Sequence, residues 1–379
     1  MKLELTPEQR AVRDEARAFV AAEIAPHADR WDREEAVPRE LIGKLRERGW
    51  LGSLVAPEWG GRGQEMISYG LLTEEVGRGC SSVRSLLTVH DMAAHAVQRF
   101  GTKEAKERFL PALARGEILG ALALSEPNAG SDIASIETTA VQEQDGDGWI
   151  LNGRKKWTTF GQIAGLYLVF AKVDGKPTAF VLERDTPGLT VTPLRGITGT
   201  RASQLAELAI DGCRVPASHL VGKVGTGISF VANSVLEQGR YSVAWGAVGL
   251  LQACLDACRE YAAARVQSGK PIAEHQLIQA MLTDMTVNVR AARLLCLRAG
   301  WLRETRDSAA GAETMAAKYF ASVAAAKAAN DAVQIHGANG CSEDYPVGRY
   351  LRDAKVLEII EGSTQIQQIS IPRFVFPEL

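Results

Sequence analysis

The spacing of apolar residues changes twice along this chain, and those two changes restrict what it can fold into. In the first stretch, to about residue 119, apolar residues recur at helical spacing. Thr6-Pro7-Glu8-Gln9 is a helix start, with a Thr cap, Pro in the first turn and Gln at the third position, and Val12, Phe19, Val20 and Ile24 follow it. Further helices are expected over about 39–49, 66–78 and 88–115. Val55-Ala56-Pro57-Glu58-Trp59-Gly60-Gly61 breaks them as a loop. Between about 120 and 222 the period shortens to that of strands. The runs are Trp149-Ile150-Leu151, Leu166 to Phe170, Ala179 to Leu182 and Leu189-Thr190-Val191. Asp145 to Gly148, Asn152-Gly153, Asp174-Gly175 and Pro187-Gly188 punctuate them as turns. From about 223 onward the chain is helical and Ala-rich, over about 227–268, 274–306, 313–335 and 346–359, with Gly337 as a helix terminator. The expected fold is α+β. An N-terminal helical domain spans 1–119, a middle antiparallel β-barrel domain 120–222, and a C-terminal four-helix bundle 223–379.

Composition narrows the function. Lys plus Arg number 43 against 45 Asp plus Glu, a net charge of −2, which argues against a strongly basic nucleic-acid binder. No apolar run has the length of a membrane span. Met1-Lys2-Leu3-Glu4-Leu5 has no signal-peptide core, so a cytoplasmic protein is expected. Cysteines at 80, 213, 254, 258, 296 and 341 show no C-x-x-C pair, so they read as small buried hydrophobes in a reducing compartment, with no metal site. There is no P-loop, GxSxG or HExxH, and no GxGxxG in a βαβ context, which argues against a Rossmann nicotinamide enzyme.

Four polar, Gly-containing segments stand between the patterned elements. Leu124-Ser125-Glu126-Pro127-Asn128-Ala129-Gly130-Ser131-Asp132 lies where helices give way to strands. In Lys155-Lys156-Trp157-Thr158-Thr159-Phe160-Gly161, an indole beside two hydroxyls could stack on a flat ligand and bond to it. Gln334-Ile335-His336-Gly337-Ala338-Asn339-Gly340 has the small residues that allow close backbone approach. Ile359-Ile360-Glu361-Gly362-Ser363-Thr364-Gln365 sets a carboxylate in apolar surroundings, where its pKa would rise and it could act as a base. Each segment alone also reads as an ordinary turn, core aromatic or cap.

Taken in order, these motifs make the whole chain resemble the acyl-CoA dehydrogenase family. The resemblance implies FAD, held between the middle domain and the C-terminal bundle across a dimer interface, in a homodimer or homotetramer. It places Leu122, Leu124, Ser125, Gly130 and Ser131 against the flavin, with Ser131 also near the substrate's pantetheine arm. It places Trp157, Thr158 and Thr159 along the flavin ring. Arg265, in the run Arg265-Val266-Gln267-Ser268-Gly269, matches a residue pairing with the neighbouring subunit's FAD pyrophosphate. Gln267, His275, Gln276 and Gln334, Ile335, His336, Gly337 and Ala338 match further dinucleotide contacts, as do Ser363, Thr364 and Gln365. Ser268 and Ile360 depart from the family's usual Phe and Tyr.

By the same resemblance Glu361 is the catalytic base, and the position some relatives use instead is Gly239. Arg240 and Gly362 lie by the substrate. The implied reaction removes a proton at Glu361 while hydride leaves the β carbon for flavin N5. Arg84-Ser85 fall where glutaryl-CoA dehydrogenases bind a distal carboxylate. Together with Gly153 to Gln162 they look closest to the dehydrogenases that make hydroxymalonyl or methoxymalonyl extender units for polyketides. The expected substrate is then a three-carbon acyl group on an acyl carrier protein, oxidised at C3. The alternatives are a short-chain or dicarboxylic acyl-CoA dehydrogenase feeding an electron-transferring flavoprotein, an oxidase or monooxygenase on the same fold, and a non-enzymatic scaffold.

Overall fold

The computed structural model describes residues 4–144 and 146–376. Met1 to Leu3, in the expected N-terminal reading, and Asp145, in the expected Asp145–Gly148 turn, lie outside the described residues. The N-terminal helices are α1 (Pro7–Phe19), α2 (Ala28–Glu34), α3 (Arg39–Glu47), α4 (Met66–Gly79), α5 (Ser81–Phe100) and α6 (Lys103–Ala114). Thr6 and Gln9 close a reciprocal capping box on α1, as the sequence predicts. The helix expected over 88–115 is instead two helices. Gly101 leaves the helical region, and Thr102 caps α6 by accepting the Ala105 N–H at 3.1 Å.

The strands are β1 (Gly120–Ala123), β2 (Thr139–Gln142), β3 (Gly148–Thr158), β4 (Leu166–Val173), β5 (Lys176–Glu183), β6 (Leu189–Pro193), β7 (Ala206–Pro216) and β8 (Leu220–Val221). Their order is β6-β7-β3-β2-β4-β5-β8, with β1 also beside β4. The antiparallel barrel expected from sequence is corrected here. The sheet is open, and it is mixed because β1 and β2 run parallel to β4. A parallel pair needs a crossover, and the segment from 124 through β3 supplies it between β1 and β4. β4 is buried on both faces, which is why its run is apolar throughout rather than alternating. Leu166, Leu168 and Phe170 pack with α5 and α6, while Tyr167, Val169 and Ala171 face the core on the other side of the sheet.

The C-terminal region contains α7 (Asn233–Ala264), a hairpin of β9 (Val266–Gln267) and β10 (Lys270–Pro271), then α8 (Gln276–Glu304), α9 (Ala310–His336), α10 (Val347–Ile359), α11 (Thr364–Ser370) and α12 (Pro372–Val375). Helices α7 to α10 pack against one another. The helix expected over 227–268 is shorter: residues 227–232 are π-helical, and Arg265 turns the chain into the hairpin. The bundle core is not confined to this region. Ile67, Tyr69 and Leu71 of α4 share it with Trp245 and Val248 of α7. The approach is close: a Cβ on Gly77 would stand 2.8 Å from the Gly246 Cα. Five cysteines are buried as expected, whereas Cys341 is exposed. Among the described residues no helix is long and apolar enough to cross a membrane.

Candidate active site

α10 ends at Ile359, and the next residues turn sharply before Ser363 caps α11. Glu361 (φ 56°) and Gly362 (φ 89°) are both left-handed. For a glutamate that conformation is uncommon and is kept only where surroundings fix it. Three buried or half-buried side chains fix it here. The Glu361 carbonyl accepts from Arg240 Nε at 3.1 Å and Gln367 Nε2 at 3.2 Å. The Gly362 carbonyl accepts from Lys318 Nζ at 2.7 Å and Gln367 Nε2 at 3.2 Å.

The Glu361 carboxylate points inward, with Oε2 buried and without a hydrogen-bond partner. Burial pushes its pKa up to about 7, against the opposing pull of Arg240, Arg84 and Lys318. A carboxyl that titrates near neutrality and is not tied down by hydrogen bonds can exchange a proton with a substrate.

Arg84, on α5, is 1% exposed. Its guanidinium donates to Thr88 Oγ1 and Ser85 Oγ, each at 3.0 Å, and Nε has no partner. Thr88 in turn bonds Ser242 of α7 at 2.6 Å. Neutral hydroxyls thus orient the guanidinium, and among the described residues it forms no ion pair. Burial lowers its pKa to about 10, while Tyr69 and then Glu361 favour its charge. Ser85, expected to bind substrate, donates its own hydrogen to the Ser81 carbonyl. Its part in the geometry is to hold Arg84.

The middle-domain residues form a second group. A bulge in the β3–β7 register falls between Lys155 and Thr158. Trp157 sits within it at φ 65° with half its surface exposed. The Thr158 hydroxyl is buried without a partner, and Thr159 is half-buried just beyond the strand. The Ser125 carbonyl accepts the Lys156 N–H at 2.9 Å, which joins the Leu122–Ser131 stretch to the Trp157 strand end. Beneath that junction, Lys155 and Glu126 form a buried ion pair at 2.6 Å. Leu124 is buried, Leu122 half-buried, and Gly130 and Ser131 exposed. An uncovered indole beside an unsatisfied buried hydroxyl suits a flat, hydrogen-bonding ring such as a flavin.

A third group lies at the end of the bundle. Arg265, Gln267, His275, Ile335, His336, Gly337 and Ala338 line one groove of about 450 Å³ with Tyr261. Tyr261 stacks on the His336 ring at 4.2 Å. Gln276 and Gln334 do not line it. Among the described residues, no hydrogen bond or ion pair joins this groove to Trp157–Thr159 or to Glu361. Ser363 caps α11, and Thr364 and Gln365 begin it.

Sequence reading missed Lys318, Gln367 and the Lys155–Glu126 pair. Lys318 left a signal, because a lysine interrupts the small apolar residues of α9 at a position that is fully buried. The other two left none, since polar residues in polar segments have no period to violate.

Residues 6–117, 121–213 and 225–376 match the N-terminal, middle and C-terminal domain models of acyl-CoA dehydrogenase. The chain is 40% identical to the probable acyl-CoA dehydrogenase YngJ of Bacillus subtilis, over 98% of this chain and 99% of that one. It is 37% identical to the glutaryl-CoA dehydrogenase of Desulfococcus multivorans, over 98% and 97%. The structure of butyryl-CoA dehydrogenase from Megasphaera elsdenii superposes with a TM-score of 0.95 at 35% identity, covering 99% of this chain and 100% of that one. That of FkbI, described for biosynthesis of the methoxymalonyl extender unit of the Fk520 polyketide, superposes at 0.87 and 34%, covering 96% and 99%. The chain belongs to the acyl-CoA dehydrogenase family. It is an FAD-dependent oxidoreductase acting on acyl thioesters.

Proposed function

We propose that the chain oxidises C3 of a short, polar three-carbon acyl thioester, carried on an acyl carrier protein, in the formation of a hydroxymalonyl or methoxymalonyl extender unit. The observation that carries this reading is Arg84, a buried guanidinium oriented by hydroxyls that forms no ion pair among the described residues. A buried cation without a counter-ion is costly, and an anionic acyl end would offset that cost. Oxidation of a hydrated C3 aldehyde creates such a carboxylate. The likeness to FkbI supports the same class.

FAD, when bound, supplies the two-electron acceptor. The Trp157–Thr159 strand end, with Ser125 and its neighbours, would hold the flavin ring. The groove at Arg265 and His336 would hold a dinucleotide end, as the family resemblance implies for FAD shared between two copies. Glu361 takes a proton whose bonding pair stays with the substrate while the C3 hydrogen leaves as hydride: a hydroxyl proton from the hydrate, or an α-proton from a saturated acyl group. The Glu361 N–H forms no hydrogen bond among the described residues and would receive the thioester carbonyl, stabilising negative charge there.

The names of several relatives favour a second reading, a short-chain or dicarboxylic acyl-CoA dehydrogenase, which would pass its electrons to an electron-transferring flavoprotein. Anaerobic bleaching of the flavin, with matched three-carbon thioesters on CoA and on carrier protein, separates the two. The first reading expects fast bleaching by the carrier-bound hydrate and its loss in Arg84→Ala. Equal bleaching by butyryl-CoA, indifferent to Arg84→Ala, would establish the second.

A further inference from the structure

We propose that Lys318 is a positioning residue that fixes both the place and the charge state of Glu361. The proposal rests on Glu361 being the base.

Lys318 projects from α9 and is fully buried. An ammonium in that position has lost its water, and the cost must be met by close partners. Its partners are not carboxylates: among the described residues Lys318 forms no ion pair. Instead Nζ donates to the Gly362 carbonyl at 2.7 Å and reaches the Glu358 carbonyl at 3.4 Å. These two carbonyls lie on either side of Glu361 in the chain, one in the last turn of α10 and one in the turn that follows. The ammonium therefore spans the turn that carries the base. That turn contains two successive left-handed residues, one of them not glycine, a conformation costing about 1–2 kcal/mol for the glutamate if unsupported. Arg240 and Gln367 hold the turn from the α7 and α11 sides, and Lys318 holds it from α9.

The charges around the carboxylate give Lys318 its second effect. Arg84 faces Glu361 from α5, Arg240 from α7 and Lys318 from α9, while Glu358 of α10 faces Lys318. Among the described residues these three cations are the charges that act on the Glu361 carboxylate. All three cations favour the ionised carboxylate, and burial opposes it. Removing Lys318 leaves burial less opposed, so the base holds its proton to higher pH.

The test uses FAD-loaded enzyme and the rate of anaerobic flavin reduction by a short acyl-CoA across pH. Three variants separate place from charge. Lys318→Met removes both, Lys318→Gln keeps one donor for the Gly362 carbonyl without the charge, and Lys318→Arg keeps the charge. In the Met and Gln variants the acid limb should move up by about one pH unit, an opposite charge being worth that or more at close range. The rate near pH 6 should then fall about tenfold, with KM nearly unchanged. In the Gln variant the high-pH plateau should stay near wild type. Lys318→Arg should restore the acid limb.

An acid limb unmoved in Lys318→Gln with FAD retained would overturn the proposal, as would an Arg variant whose acid limb sits with that of Met. The Gln variant keeps the test intact if Met does not fold. Glu361→Gln is the control: if it still reduces flavin, the base assignment fails rather than the role of Lys318.

Discussion

A Cβ added to Gly239 would stand 2.5 Å from the carboxyl carbon of Glu361. The Glu361 carboxyl is thus seated directly on the backbone of α7, in the space any larger residue at 239 would fill. Gly239→Ala should displace the carboxylate from its seat. The measurement is flavin reduction by a short acyl thioester. A loss of about a hundredfold is expected, since small misplacements of a catalytic group carry that cost, while FAD absorbance stays unchanged. Wild-type turnover would show that the carboxylate has room elsewhere.

The charge state of Glu361 links activity and stability in opposite senses. Its pKa lies at about 7, above the ordinary carboxylate range. As a proton acceptor it works when ionised, so the rate of flavin reduction should rise with pH through about 7 and then level. For stability the folded protein holds a proton that the unfolded chain releases. This contribution is complete below the ordinary carboxylate range and is lost as pH rises through about 7. Glu361→Gln should abolish flavin reduction, and its melting temperature relative to wild type should rise from pH 5 to pH 8. A constant difference across that range would contradict the raised pKa.

How much of this was legible in the sequence depends on the kind of order involved. The Thr6–Gln9 cap and the strand runs at 149–151 and 166–170 were readable because local chemistry and short periods set them. The open mixed sheet was not, since the runs 120–123 and 139–142 are too short to carry a direction and their parallel pairing with β4 is a long-range choice. The break at Gly101 was masked by helical spacing on both sides. At the site, Glu361 was singled out by the motif order that resembles the family, since the two isoleucines before it are a weak local signal and Ile359 is itself exposed. The polar layer of Thr88, Ser242 and Arg84 joins two helices far apart in sequence, and nothing local in either helix announces it.

Arg84 owes its position to a glycine on the neighbouring helix. A Cβ on Gly246 would lie 2.8 Å from Arg84 Cδ and 2.9 Å from Nε. Gly246→Ala gains about 1 kcal/mol of helix propensity but crowds the guanidinium, and overpacking costs about 1–3 kcal/mol. The net expectation is a small change in melting temperature. Affinity for an acyl thioester ending in a carboxylate should weaken about tenfold, one misplaced charge-assisted hydrogen bond being of that size. Titration with acidic and neutral three-carbon thioesters checks this. Equal weakening for both would place the acyl terminus away from Arg84.

The groove at the end of the bundle makes a separate prediction about the cofactor. Arg265 lines it without an ion pair among the described residues. If it meets a pyrophosphate, Arg265→Ala should raise the dissociation constant for FAD by about tenfold to a hundredfold, the range of a charge-assisted hydrogen bond. The readout is FAD lost on ultrafiltration. Flavin reduction at saturating FAD should be nearly normal, because Arg265 is not linked to Glu361. Full FAD retention would remove Arg265 from the cofactor site.

The Lys155–Glu126 pair is the last point at which the structure makes a sharp demand. The two side chains are 0% and 2% exposed and 2.6 Å apart. Burial acts to raise the Glu126 carboxyl, and the hydrogen bonds from Lys155, Thr138 and the Glu137 backbone outweigh it and hold the group ionised. Glu126 thereby ties Leu124–Ser131 to β2 and β3, which sets the strand end bearing Trp157. Lys155→Met would strand a buried carboxylate, at a cost of about 3–5 kcal/mol. Lys155→Met with Glu126→Gln removes both charges, and should recover most of that loss in a denaturant melt. FAD affinity should not recover with it, since the amide cannot accept from Thr138 and Glu137 as the carboxylate does. If stability and FAD binding return together in the double variant, the pair acts only through folding and has no part in shaping the flavin site.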